Sequence, residues 1–223
     1  MQIFRNHWQL LLLTLIIVYF WNAPWLTPLK ILVVFFHEFS HAIAAVLTGG
    51  RVAEFEINPM QGGHVIALGG SSFWLSTSGY LGSLLCGVLL FAISVNSRLD
   101  RYALAALGIL MVLVTLLWIR SGFAVAFTLG TAMTLLLIAR AAPHNLCDFT
   151  LRVIGMASMI YVPWDIWDDT IRRSGAMSDA RILALNIGGT TLMWGIIWFL
   201  ISLLIIAATF RYVLRGNSNL TLR

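Results

Sequence analysis

Residues 28–47 read PLKILVVFFHEFSHAIAAVL and are followed by Thr48-Gly49-Gly50. The run has the length and the apolar character that an α-helix needs to cross a hydrocarbon layer, about 20 residues at 1.5 Å each. Pro28 suits the first helical turn, where its missing N–H costs nothing, and the glycine pair suits the stop. Set into the second half is His37-Glu38-Phe39-Ser40-His41. Ionisable groups at such a depth cost about 2.5–3.5 kcal/mol each even on the gentler insertion scales, so they need a compensating role.

A metal ion supplies one. A helix brings residues i and i+4 to one face, so His37 and His41 can offer two imidazole nitrogens to a single ion while Glu38 stands beside it as a general base. Shuffling this composition produces the same pattern about 0.15% of the time, which sets accident aside as its origin. The alternative is a histidine pair hydrogen-bonded to neighbouring helices, with Glu38 salt-linked to one of them. Burial in a membrane segment disfavours that alternative.

Composition agrees with the membrane setting. Hydrophobic residues make up 60% of the 223 positions, charged residues 10%, and mean hydropathy is +0.89. Ordinary globular chains carry about 25% charged residues, so the chain reads as an integral membrane protein. Its net charge of +5 comes from 14 basic residues placed singly or in pairs between apolar runs, as topology anchors are. No basic patch with interleaved aromatics appears, which excludes a nucleic-acid partner. Cys86 and Cys147 have no neighbouring cysteine and indicate neither a disulfide framework nor a CxxC site. Arg5 ahead of an apolar run resembles a signal peptide, but Trp21-Asn22-Ala23-Pro24-Trp25 puts bulky residues where a cleavage site needs small ones. The segment is read as a retained first helix.

Working outward, the expected fold class is an all-α polytopic membrane protein of about six to seven transmembrane helices, with a short β-hairpin or re-entrant loop after the metal-binding helix. It is read as a single domain over 1–223: a first helix over 1–26, a core over 28–95, a helical hairpin over 101–140, a ligand-bearing segment and last helix over 146–210, and a polar tail over 211–223. Val52–Ile57 alternates, Asn58–Gly63 reads as a turn, and His64–Leu68 resumes extended. This hairpin is placed to roof the site, to offer an edge strand to an extended peptide, or simply to pack at the interface. Ser78, Gly79, Gly82, Ser83 and Gly87 give the helix over 71–95 a small-residue side, suited to close helix packing or to contact with substrate. Ile182–Phe210 is read as closing the membrane part. Lys and Arg are nearly balanced between alternate loops and leave orientation open.

Catalytic zinc has three protein ligands and one open position, so two histidines call for a third group. Glu54 and Glu56 follow the helix too soon to fold back. Asp100 lies between arginines and looks like a surface pair, and Asp148 suits a helix start. Asp179, after Ser178, reads as part of a helix cap. His64 is polar surface or a supplementary ligand. The Tyr161–Asp169 segment remains, where Pro163 loosens the helical ladder. Asp165 stands in its most apolar part and is taken as the third ligand. Asp168 and Asp169 are the alternatives, and all three could instead form an acidic helix end paired with Arg172 and Arg173.

With His37-Glu38-Phe39-Ser40-His41, Thr48-Gly49-Gly50 and Gly62-Gly63 over residues 30–95, and Pro163-Trp164-Asp165-Ile166-Trp167-Asp168-Asp169 and Ser178-Asp179-Ala180 over 161–180, the chain resembles the M50 family of intramembrane metalloproteases. Its M50B-like branch, relatives of the site-2 proteases, is the nearest likeness. The resemblance implies one Zn2+ ion inside the membrane, His37 and His41 as ligands, Glu38 as base and a downstream aspartate as third ligand. In better-known members that aspartate sits in an Asn-x-x-Pro…Leu-Asp-Gly context. Pro163 and Asp165 match it in part, while Ile166 replaces the glycine and no asparagine stands three residues before the proline. With no PDZ-like or CBS-like stretch, substrate selection is expected from the membrane part or from a partner. The resulting expectation is a zinc-dependent intramembrane endopeptidase acting on membrane-protein substrates, multi-pass in the lipid bilayer of a bacterial plasma or inner membrane. A catalytically inactive binding or regulatory protein is the alternative from another class, and a metal transporter is a third. No substrate-binding residue is identified at this level.

Overall fold

Six helices are long and apolar enough to cross a membrane, over Pro24–Leu47, Ser72–Asn96, Asp100–Trp118, Gly122–Ala141, His144–Arg172 and Thr191–Val213. They belong to a computed structural model that describes residues 2–173, 175, 177–214 and 217–219. In chain order the elements are α1 (Gln2–Tyr19), a 3-10 turn (Pro24–Leu26), α2 (Thr27–Leu47), β1 (Arg51–Ile57), β2 (Gly63–Leu68), α3 (Ser72–Asn96), α4 (Asp100–Trp118), α5 (Gly122–Ala141), α6 (His144–Trp167) with a π-helical turn (Asp168–Arg172), α7 (Asp179–Ile187) and α8 (Thr191–Val213). The expected all-α polytopic architecture with one β-hairpin is what the chain adopts. The first helix is present as α1 but is not among the six. Its first turns carry Arg5, Asn6 and His7, and His7 itself leaves helical geometry (φ −135°, ψ 15°).

The small residues of α3 do what their spacing suggested. Ser158 Oγ of α6 donates to the Ser83 carbonyl at 2.8 Å. A Cβ added to Gly155 would stand 2.7 Å from the Gly87 carbonyl oxygen, so these two helices touch backbone to backbone. Because Tyr80 meets Asp169 while Gly87 meets Gly155, α3 and α6 run antiparallel, which brings the C-terminal end of α6 to the N-terminal end of α3.

The sheet lies directly after α2. β1 and β2 pair antiparallel, with Ile57 opposite Gly63, Glu56 opposite His64 and Arg51 opposite Leu68, and a bulge between Val52 and Glu54. Phe55 and Ile57 of β1 are fully buried, and the Phe55 ring lies 5.6 Å from that of Phe35 on α2. The outer side of β1 is covered: Phe55 bridges Ile119, and Ser121 Oγ donates to Glu56 at 2.7 Å. Among the described residues β2 pairs with β1 alone. The turn is held by Asn58, whose Oδ1 accepts from the backbone N–H of Met60 at 2.9 Å and of Gly62 at 3.2 Å.

Three local readings are corrected. The run Ile182–Phe210 is two helices, α7 and α8, parted at Gly188 and Gly189, whose φ values of 112° and 86° suit glycine alone. Asp100 is no surface pair: it is fully buried at the start of α4, 3.4 Å from His144 Nε2. Asp148 lies in the second turn of α6, buried and joined to Arg152, whose Nη2 donates to Oδ2 at 2.9 Å. Arg152 Nη1 also donates to the Ser218 carbonyl. Of the tail, 215, 216 and 220–223 lie outside the described residues. Ser218 and Asn219 fold back on α1, with Ser218 N–H donating to Asn6 O at 3.0 Å and Asn219 Nδ2 to Arg5 O at 2.8 Å.

Candidate metal centre

At the middle of α2, His37 and His41 share one face and turn their Nε2 atoms to the same carboxylate oxygen. Asp179 Oδ2 lies 3.0 Å from His37 Nε2 and 3.2 Å from His41 Nε2. The three groups offer donor atoms within 4.8 Å of one another, a set that could hold a metal ion. Asp179 arrives there because Ser178 caps α7, its Oγ accepting from Arg181 N–H at 3.4 Å, which makes Asp179 the first residue of the helix. Burial pushes the Asp179 carboxyl up, but the charge of His41 and the hydrogen bonds from both histidines outweigh it and hold the group well below the usual carboxylate range.

The surroundings fix the two rings. His41 Nδ1 lies 2.7 Å from the Leu75 carbonyl oxygen at the start of α3, so it carries a hydrogen there and the ring turns Nε2 toward the cluster. The His37 ring meets the Tyr80 ring edge-on at 4.9 Å. Gly79 leaves the space at the nitrogens clear, since a Cβ there would stand 2.6 Å from His41 Nε2. Glu38 is 5% exposed and abuts β2, where a Cβ on Gly63 would lie 2.7 Å from its Oε1. Two imidazoles and one carboxylate converge, His41 with its outer nitrogen fixed, and open space adjoins them. This is the donor chemistry of a three-ligand site with a free position.

The cluster opens into a cavity of about 820 Å³ lined by α2, the hairpin turn, the first turns of α3, the end of α6 and the start of α7. His37, Glu38, His41, Asp165, Asp168 and Asp169 all line it. The carboxylate that meets both histidines, however, is Asp179 and not Asp165. Asp168 and Asp169 are engaged by Arg173, whose Nε donates to Asp168 at 2.6 Å and whose Nη2 donates to Asp169 at 2.7 Å. Burial alone would lower the Arg173 pKa, but the charge of Asp169 and the hydrogen bond that Arg173 donates to Asp168 raise it. Asp169 Oδ2 also accepts from Tyr80 OH at 2.6 Å. Asp165 makes no hydrogen bond to either histidine among the described residues. His64 is half exposed, 3.4 Å from Glu54 Oε1, and borders the cavity without joining the cluster. Sequence reasoning passed over Asp179 because Ser178-Asp179-Ala180 also explains itself as a cap. The cue available was its place inside the stretch 161–180 that carries the resemblance.

Fold and site together define a multi-pass membrane protein with a His–His–carboxylate cluster set at the middle of a spanning helix. The chain belongs to the Peptidase M50B-like family, whose model matches residues 10–209. That match takes in His37, Glu38, His41 and Asp179, and it makes a membrane metallopeptidase the kind of protein this is. No curated protein and no solved structure gives a significant match.

Proposed function

We propose that the protein is a zinc-dependent intramembrane endopeptidase that cleaves membrane-protein substrates. One observation carries the reading: Asp179 meets His37 and His41 beside a buried Glu38 at the wall of a cavity of about 820 Å³. His37, His41 and Asp179 would hold the ion, with Asp179 in the role that sequence alone gave to Asp165. When bound, zinc acidifies a water toward a pKa of about 7 and polarises a carbonyl oxygen.

The remaining work falls to side chains and backbone of the chain itself. Glu38, one residue beyond His37 and facing the cavity, takes a proton from the attacking water and delivers it to the leaving amine. Gly63 leaves room for this carboxylate against the hairpin, since a Cβ there would stand 2.7 Å from Glu38 Oε1. β1 has its outer side covered, whereas Gly63, His64 and Val65 of β2 border the cavity. A substrate segment unwound from its helix would pair with β2 as an added strand, which fixes the scissile carbonyl relative to Glu38. The peptide hydrogen bonds lost on unwinding would thereby be replaced.

Comparing membrane-protein fragments in cells that carry the wild type or Glu38→Gln tests this reading. New termini confined to the wild type support it, and identical fragment patterns contradict it. A purely binding protein would tolerate the near-isosteric change.

A further inference from the structure

Lys30 is the one lysine in the sequence, against 13 arginines in a total of 14 basic residues. It stands on α2 two turns before His37, on the same helical face. Its side chain is buried, at 8% exposure, yet it lines the cavity that holds the metal cluster. No ion pair or hydrogen bond joins its ammonium to another described residue. Its polar contact is the Trp21 ring, whose centroid lies 5.0 Å from Nζ. A lysine that merely snorkels would carry its ammonium to open water, and this one is held inside.

Glu38, Asp165, Asp168, Asp169 and Asp179 line the same cavity, and none of them forms an ion pair with Lys30. Arg173, the other strong cation on the wall, is engaged by Asp168 and Asp169. Lys30 is therefore a desolvated cation without a counter-charge, and a ring face offsets only part of its burial cost. An incoming anion would supply the rest.

We propose that Lys30 is a recognition site for a substrate carboxylate. Two helical turns set it about 10.5 Å from His37 along α2. An extended peptide advances about 3.3 Å per residue, so the carboxylate belongs about three residues from the scissile bond. It is an acidic side chain at that position or the C-terminal carboxylate of a peptide ending there. The proposal deepens the peptidase reading and rests on it for the position of the scissile bond.

The test uses the full-length protein with zinc in nanodiscs and quenched-fluorescent apolar peptides. Each peptide carries Glu, Gln or Lys at one of successive positions and ends in a free acid or an amide. The value of kcat/KM is measured for the wild type, Lys30→Met and Lys30→Glu, and peptide binding by anisotropy for Glu38→Gln with and without Lys30→Met. The wild type is expected to favour Glu at one position, or the free acid, by at least about tenfold. Lys30→Met should erase that preference, and Lys30→Glu should replace it with a preference for Lys. A packing role for Lys30 would change all rates alike and invert nothing. A wild type without charge preference, or a preference that survives in Lys30→Met, overturns the proposal and leaves the peptidase reading standing. Absence of cleavage together with Lys30-dependent binding of the acidic peptide to Glu38→Gln overturns the peptidase reading and supports the carboxylate site. Absence of both overturns both.

Discussion

Asp179 Oδ2 stands 3.0 Å from His37 Nε2, a contact that closes 142 positions of chain. It joins the end of a polar connection to the middle of a spanning helix, and it sets a different carboxylate against the histidines from Asp165, the one favoured on sequence. Removing it should cost the site its metal. Asp179→Ala is expected to lower zinc affinity at least about a hundredfold, since even outer-sphere changes cost 10- to 100-fold. Asp165→Ala should retain the ion. Metal content of the two purified variants separates them, and zinc lost from Asp165→Ala but kept by Asp179→Ala would return the third position to Asp165.

The contrast between these aspartates shows how far a sequence can be read here. The two histidines and Glu38 were legible because i, i+4 spacing on a helix fixes their common face without knowledge of any other element. The hairpin was legible too: alternation over Val52–Ile57 and the Asn58–Gly63 turn foretold β1 and β2 within a residue or so. Which carboxylate meets the histidines depends on where α7 docks against α3 and α8, and nothing local to Asp179 encodes that. Asp165 was attractive for its apolar company and the nearby Pro163, yet α6 continues through Pro163 to Trp167 and keeps Asp165 on the cavity wall. Asp100 and Asp148 were misread for a similar reason, since burial at helix ends is set by partners such as His144 and Arg152.

Gly79 offers a steric test. With a Cβ in the space occupied by the histidine nitrogens, Gly79→Ala should abolish zinc binding and cleavage while the helical content measured by circular dichroism is unchanged. Gly130→Ala is the control, because nothing lies within 4 Å of a Cβ there. Full metal occupancy in Gly79→Ala would show that the rings are not held where the structure has them.

Protons should compete with the ion through the histidines and not through Asp179. The carboxyl is held low by its neighbours, so it stays ionised as pH falls through the range in which imidazoles charge. What Asp179 contributes is present above the unfolded carboxyl pKa of about 3.9 and is lost only as pH falls through its lower folded value. Zinc retention is therefore expected to decline as the pH is lowered, with up to two protons taken up per ion released. Equilibrium dialysis at graded pH reads that slope. Retention unchanged down to pH 4 would contradict it.

Arg152 tests the opposite end of α6. It pairs with buried Asp148 and holds the Ser218 carbonyl, so Arg152→Met leaves a carboxylate buried without its partner. A loss of about 3–5 kcal/mol is expected, read as a lower thermal midpoint. Adding Asp148→Asn should recover part of it, and an unchanged midpoint in the single variant would show that the pair carries no stability.

The central claim is that Glu38 performs hydrolysis beside an ion held by His37, His41 and Asp179. The most direct measurement co-reconstitutes the zinc-loaded wild type or Glu38→Gln with a candidate membrane substrate and follows new peptide termini by mass spectrometry. Equal zinc in both proteins, with cleavage by the wild type and none by Glu38→Gln, is the predicted result. Equal cleavage by both would contradict the account.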